Sequence, residues 1–268
     1  IEVFLTLLAT HDGGTYFDIG ANLGYFSLVA ACNRAVGAPL VVHAFEPAPF
    51  YHDLLRRNIL GNRLSRIVKP HALALAGSAG EQTLHLFDTS SSLDATWAQE
   101  TRGQGPLGTQ AVPTAALDDL FDPSDLLAPF IFKIDVEGSE MAVLRGGARL
   151  LQSSESAFVL VEAHHDSQEQ HAVLRLLTDW GYTCLGLARY TDEEYLNVWN
   201  DKLVTLDEIA DDPSLWCGYW MCLREGHQRA AEVISQYGLY PLFVSTRYLD
   251  SDGLADLLAG RQDDAPDV

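Results

Sequence analysis

Thr15–Gly24 reads TYFDIGANLG, and this stretch decides the fold. Tyr16–Ile19 is a short apolar run closed by Gly20, the pattern of a strand buried on both faces. The apolar, small-residue segment Tyr25–Ala35 follows and suits a helix packed closely on a sheet. A strand, a glycine-bearing loop and a helix in that order form the ligand-binding turn of a doubly wound α/β sheet. Gly20 and Gly24 would let the backbone come close to a ligand, where a Cβ would collide. The helix N-terminus would then point at the site.

Strand and helix signals continue to alternate on either side, which predicts a mostly parallel sheet with helices on both faces. Leu40–Phe45 (LVVHAF) is the next strand, and Pro49–Leu60 a helix with Pro near its start and Gly61 just beyond it. Ile67–Leu75 is strand-like. From Gly77 to about Pro129 the pattern loosens into an insertion, with Gln82–Phe87 alternating like one arm of a hairpin and Thr89–Leu93 a polar loop. Phe130–Val136 (FIFKIDV) restores the regular pattern. Ser139 is expected to cap the helix that follows, with Glu140 in its first turn. Ala157–Ala163, Tyr182–Leu187 and Trp216–Leu223 read as strands, Gln168–Trp180 as a helix, and Tyr190–Leu215 as an acidic, aromatic-rich excursion.

The expected architecture is therefore α/β, a doubly wound mostly parallel seven-stranded sheet with a hairpin insertion and a C-terminal extension. Residues 1–225 form the domain, with its core at about 15–187. Residues 226–268 form the extension, ending in a polar tail expected to be disordered. Ile1–Thr10 is apolar but short, and is expected as a helix covering the core. The sequence starts at Ile rather than Met, so other modules of a longer chain are expected as partners.

The 268 residues carry 17 Lys+Arg against 37 Asp+Glu, a formal charge of −20. Such a surface repels phosphate backbones and anionic headgroups, which disfavours nucleic acid and membrane as partners. It suits a neutral or cationic small molecule. No apolar run approaches the about 18 residues of a membrane-spanning helix. Four cysteines (Cys32, Cys184, Cys217 and Cys222) form no C-x-x-C pair. They are read as reduced thiols of a cytoplasmic protein.

The ligand's chemistry is read from the carboxylates at the strand ends. Asp18 closes the first strand, where it would oppose a pyrophosphate but can pair with a cationic amino group. The loop is D-I-G-A-N-L-G rather than the G-x-G-x-x-G of dinucleotide sites. Asn22 can hydrogen-bond an amino-acid end. Glu46 closes the second strand and can accept both hydrogen bonds of a ribose diol, a device that nicotinamide sites share. A nucleoside bearing a cationic amino-acid arm, S-adenosylmethionine, meets these requirements. A nicotinamide-dependent oxidoreductase and a non-catalytic nucleoside-binding module are the alternatives.

Phe17–Ser27 (FDIGANLGYFS), His43–Pro49 (HAFEPAP) and above all Phe132–Leu151 (FKIDVEGSEMAVLRGGARLL) resemble the FkbM family of class I methyltransferases. The resemblance spans roughly Thr15–Leu187. It implies the class I methyltransferase fold, S-adenosylmethionine as cofactor, and O-methylation of a hydroxyl on a sugar, glycan or natural product. Asp18, Gly20, Asn22 and Gly24 match the family's cofactor loop, and Glu46 its ribose acid.

A second group of acids marks where an acceptor would sit. Asp135 and Glu137 end the strand Phe130–Val136, and Glu162 and His164 end the next, Ala157–Ala163. Members of this group could position the acceptor hydroxyl or take its proton. Their oxygens could also hold magnesium. Alternatively, Glu137 pairs with Lys133 or Arg145 and only ties down its loop. His165 reads as an incidental loop histidine.

Overall fold

The computed structural model describes residues 13–33, 38–94, 105–163, 168–190, 202–205, 207 and 215–224. The expectations for the first ten residues, for His164, His165 and Asp166, and for the tail beyond Glu225 lie outside the described residues.

The fold grows outward from β1 (Gly14–Ile19), whose six residues are all buried. Its parallel neighbours are β2 (Leu40–Phe45) on one side and β8 (Phe130–Ile134) on the other. Beyond β2 lies β3 (Val68–His71). Beyond β8 lie β9 (Ser156–Glu162), β12 (Leu215–Arg224), β10 (Tyr182–Tyr190) and β11 (Lys202–Val204). The sheet order is thus β11-β10-β12-β9-β8-β1-β2-β3. Seven of these strands are the expected ones, and the three-residue β11 adds an eighth at the edge. The last long strand, β12, is inserted antiparallel between β9 and β10, which places residues far apart in sequence side by side.

The helices α1 (Tyr25–Asn33), α2 (Pro49–Gly61), α3 (Leu117–Leu120), α4 (Glu140–Gly146), α5 (Ala148–Leu151) and α6 (Gln168–Asp179) cover the sheet. Two apolar clusters form, one on each face, because alternate side chains of buried strands point oppositely. Phe17, Phe132, Leu144 and Trp220 belong to one, and Tyr16, Leu55, Ile131 and Met221 to the other. Phe17 stacks on Phe132 with ring centroids 5.0 Å apart.

The loosened segment folds as a second, four-stranded sheet. Its strands are β4 (Ala74–Leu75), β5 (Gly80–Leu86), β6 (Ser91–Ser92) and β7 (Gly108–Ala115), in the order β4-β7-β5-β6. The run Ile67–Leu75 therefore splits between the two sheets. The polar loop Thr89–Leu93 carries the two-residue β6, held against β5. Ala74, Leu84 and Val112 of this sheet cluster with Ala48, joining it to the main domain.

The thiol expectation needs correction. Cys184 and Cys222 are disulfide-bonded, while Cys32 and Cys217 are free. The pair faces across β10 and β12, neighbours only because β12 returns between β9 and β10. No local spacing in the sequence carries that information. Among the described residues no helix is long and apolar enough to cross a membrane.

Gly20 has φ +76°, and a Cβ there would overlap the Asp135 carbonyl oxygen. We expect Gly20→Ala to destabilise the domain by about 2 kcal/mol or more, from left-handed backbone strain plus overlap. Gly61→Ala, where nothing lies within 4 Å, is the matched control. Chemical denaturation of both variants checks this, and equal midpoints would count against it.

Candidate functional site

The strand order reverses between β1 and β8, and a cavity of about 240 Å³ opens at their carboxyl ends. The loop Gly20–Tyr25 lines it, with Glu46 and Pro47 from the end of β2. Leu73–Leu75, Leu84 and Leu93 supply apolar lining, and Ser90, Lys133, Asp135 and Glu137 polar lining.

Glu46 is the fixed point of the cavity. Its Oε2 accepts from the Asn22 N–H and its Oε1 from the Ala48 N–H, both at 2.9 Å. It is 3% exposed, and burial pushes its carboxyl up to about 7, against the pull of those two hydrogen bonds. Asn22 reaches this position with φ +49°, a conformation that asparagine tolerates better than most residues. Its side chain donates to the Thr89 carbonyl at 3.3 Å.

Asp18 stands one step behind the cavity. It is fully buried, and its Oδ2 accepts from the Ser27 N–H at 2.9 Å and from Ser27 Oγ at 2.5 Å. Asp18 is thereby tied to the first turn of α1, and its other oxygen, Oδ1, lies 3.6 Å from the Lys133 ammonium. A Cβ on Gly20 would strike the Asp135 carbonyl, and one on Gly24 would strike Leu55. Both glycines permit chain-to-chain approach.

Lys133 was weighed only as an ion-pair partner, yet it joins the whole floor. Its Nζ donates to the Gly20 carbonyl at 2.7 Å and lies 3.2 Å from Asp135 and 3.6 Å from Asp18. Burial alone would lower its pKa, but Asp135 and Asp18 outweigh burial and raise it, so the ammonium stays charged.

Asp135 also accepts from Tyr219 Oη at 3.1 Å and hydrogen-bonds with Glu162. Burial opposes its ionisation, but the Lys133 ammonium and the hydrogen bonds prevail and hold it below its usual value. Glu162 is pushed the other way, by burial and then by the Asp135 charge. The two carboxyls thus share one proton, held on Glu162. Glu162 lies behind Asp135 rather than on the cavity wall.

Glu137 does line the cavity. Its φ is +57°, a strained value for a long side chain, and its carbonyl accepts from Ser92 Oγ at 2.6 Å. Ser139 makes no side-chain cap of α4, contrary to expectation. Glu140 Oε1 instead reaches back to the turn before α4, accepting from the Val136 and Gly138 N–H groups at 3.1 and 3.2 Å. Among the described residues no group of three or more His, Cys, Asp or Glu is arranged to hold a metal ion. Of the carboxylates suggested for magnesium, Asp135 is engaged with Lys133, Tyr219 and Glu162.

Tyr219 and Lys133 are the site residues that sequence reading missed as such. Lys133 carried a signal, a lysine within an otherwise apolar central strand. Tyr219 carried none, because its place depends on the return of β12.

A mostly parallel sheet with this order, in which β12 and the short edge strand β11 run reversed, and an acid-flanked cavity at the carboxyl ends of its central strands fit a class I methyltransferase fold. The methyltransferase FkbM domain model matches residues 18–184, and the chain belongs to that family. Membership implies S-adenosylmethionine as the cofactor. A hexuronic acid methyltransferase, AglP of Haloferax volcanii, is 29% identical over 160 residues, covering 60% of each chain. The 31-O-demethyl-FK506 methyltransferase FkbM of Streptomyces tacrolimicus is 28% identical over 199 residues, covering 64% of this chain and 73% of that one. The solved methyltransferase FkbM of Methylobacillus flagellatus is 16% identical with TM-score 0.46, covering 79% of this chain and 44% of that one, too remote a likeness to bear on the site.

The shared proton predicts a pH signature. A glutamic acid whose folded pKa is raised stabilises the fold fully below its unfolded value of about 4.5 and loses that stabilisation as pH rises towards its folded value. Glu162→Gln keeps a neutral donor for Asp135. The stability of the variant relative to wild type should therefore increase with pH above about 5. Urea midpoints across that range test this, and a constant difference would refute the shared proton.

Proposed function

We propose that this chain is an S-adenosylmethionine-dependent O-methyltransferase acting on a hydroxyl of a sugar, glycan or other natural product. The observation that carries the reading is Glu46, a buried carboxylate at the cavity with each oxygen already pinned by one backbone N–H. Each oxygen keeps acceptor capacity, which suits the two hydroxyls of a ribose. The donor set fits the rest of the cofactor as well. Leu73, Ala74, Leu84 and Leu93 give a base an apolar wall, and Lys133 and Asp135 give an amino-acid end its charges. A dinucleotide fits worse, since its pyrophosphate would meet Glu46, Asp135 and Glu137.

When bound, the cofactor would supply an electrophilic methyl group to the acceptor oxygen, with S-adenosylhomocysteine as the leaving group. The chain's task is mainly to orient and to remove a proton. The loop 20–25 and Glu46 fix the nucleoside, and the apolar wall excludes water. Glu137, on a strained turn held by Ser92, is the residue we assign to the acceptor hydroxyl. It takes the proton as that hydroxyl becomes acidic, so a weak base is enough. Asp135 lines the cavity beside it, with Glu162 fixing Asp135 from behind. For His164 the reading rests on sequence alone. The names of the two relatives, a hexuronic acid methyltransferase and a demethyl-FK506 methyltransferase, support hydroxyl-bearing acceptors of this kind. We further propose the division into a catalytic domain at 1–225 and an extension at 226–268.

Calorimetric titration with S-adenosylmethionine, S-adenosylhomocysteine and NAD is the direct test. Binding of the adenosyl compounds but not NAD is expected, with loss on Glu46→Ala. Failure of both adenosyl compounds at millimolar concentration would sink the reading. Diol hydroxyls favour the ionised Glu46, whose carboxyl titrates at about 7. Affinity for S-adenosylhomocysteine should therefore fall as pH drops below about 7, by at most about tenfold per pH unit, with proton release on binding. Calorimetry near pH 6 and 8 in buffers of different ionisation enthalpy reads this directly.

With hexuronic acid glycosides and macrolide alcohols as the acceptor panel, Glu137→Gln should lower turnover by about 100-fold. S-adenosylhomocysteine binding should stay unchanged. Unaltered turnover would remove Glu137 from the chemistry.

A further inference from the structure

The second sheet ends in a hairpin edge that borders the cavity. β6 pairs with β5 through His85 with Ser92 and Leu86 with Ser91. The Phe87 N–H donates to the Ser90 carbonyl at 3.0 Å, so the pairing runs on to Ser90. Alternate side chains of a strand point to opposite faces. Leu84, Leu86 and Leu93 therefore share one face with Ser91, and these leucines cluster with Ala48. Ser90 and Ser92 share the other face. Ser92 shows where that face looks, since its Oγ donates to the Glu137 carbonyl at 2.6 Å. The edge strand thus divides the cavity. Its leucine face belongs to the wall assigned to the donor's base, and its serine face turns towards the residue assigned to the acceptor hydroxyl.

The two serines differ in what they have left to give. Ser92 Oγ also accepts from the Asp94 N–H at 2.9 Å, so it is bonded as donor and as acceptor. Ser90 lines the cavity and is 5% exposed, yet among the described residues its Oγ has no hydrogen-bond partner. An unpaired buried hydroxyl is costly, and a ligand that supplies the missing partner removes that cost.

We propose that Ser90 is a specificity residue for the acceptor, its hydroxyl pairing with a second hydroxyl on the ring that is methylated. This rests on the proposed function and narrows its acceptor to a polyhydroxylated ring, a sugar, rather than an isolated alcohol. A serine hydroxyl is uncharged and both donates and accepts, so another hydroxyl can satisfy it in either sense. Ser90 lies two residues from the serine that touches Glu137, about 7 Å along an extended strand. One sugar ring with its hydroxyls spans that distance, so Glu137 can hold the reacting oxygen while Ser90 holds another. The strap is also fixed beforehand, by Asn22 at Thr89 and by Ser92 at Glu137, so little ordering is required on binding.

The test uses methyl glucuronoside, methyl glucoside and their monodeoxy analogues, with S-adenosylmethionine and the full chain. Wild type should lose about 5- to 20-fold in kcat/KM on one analogue that keeps the reacting hydroxyl, the effect of one hydrogen bond and an orphaned partner. Ser90→Ala should show a similar loss on the parent glycoside and no further loss on that analogue. Its affinity for S-adenosylhomocysteine should stay within about twofold of wild type. Without ligand, its urea midpoint should not fall, because an unpaired hydroxyl is all that is removed. Ser92→Ala, which breaks two bonds, should lower the midpoint.

Equal losses of Ser90→Ala on the parent and on every deoxy analogue would overturn the proposal, as would no loss at all, the outcome for a hydroxyl that only water satisfies. A lowered midpoint would overturn it by giving Ser90 a partner within the chain. Weakened S-adenosylhomocysteine binding by Ser90→Ala would assign the hydroxyl to the donor instead. Transfer to macrolide alcohols but to no glycoside leaves the proposed function standing and removes this assignment. If wild type binds neither adenosyl compound, the proposed function itself fails.

Discussion

A single buried ammonium holds the site together. Lys133 is 3% exposed in the middle of a parallel sheet, where an unpaired charge would be prohibitively costly. It stays charged because three partners converge on it: the Gly20 carbonyl, Asp135 and Asp18. Those partners belong to the ends of β1 and β8, the two strands between which the sheet order reverses. Removing any one would leave the others inadequately compensated, and breaking such buried pairs is far costlier than the pair's net contribution to stability. The knot thus makes the crevice a rigid feature. It also explains why Gly20 must lie so close to Asp135 that no Cβ fits between them.

The same knot distributes roles among the acids. Asp18 faces inward and fastens α1 through Ser27. Asp135 faces the cavity, with Glu162 and Tyr219 behind it. Two carboxyls in contact cannot both ionise cheaply, so the proton stays on Glu162 and the charge on Asp135, beside the lysine. Glu46 lies apart, held by main-chain donors alone. Each carboxyl has its own environment, which is how one acidic cleft can carry several distinct functions.

The second sheet closes the cavity from above. Tyr51 Oη donates to the Asp88 carbonyl at 3.1 Å, Asn22 to Thr89, and Ser92 to Glu137. The segment from Asp88 to Ser92 is therefore fixed to α2, the cofactor loop and the acidic turn in succession. Leu84 and Leu93 bring its apolar face to the cavity wall. An insertion that looks irregular in sequence is thereby built into the binding site.

The sequence by itself determined the doubly wound architecture, the position of the cleft and the identities of Gly20, Asn22, Glu46, Asp135 and Glu137 at its edge. These are local properties. A buried strand declares itself by composition, and residues at its carboxyl end inherit their location from it. Partnership was decided only by the tertiary structure. A strand-end acid gives no sign of which way it points, so the contacts of Asp18 with Ser27 and Lys133 could not be read from its position. Ser139 looked like a cap, but its side chain makes no cap bond to α4. Tyr219 and the Cys184–Cys222 bond were invisible because β12 returns between β9 and β10, and no sequence spacing encodes which strands a late segment will separate. Periodicity is written along the chain, whereas the pairing of charges and thiols depends on which distant strands become neighbours.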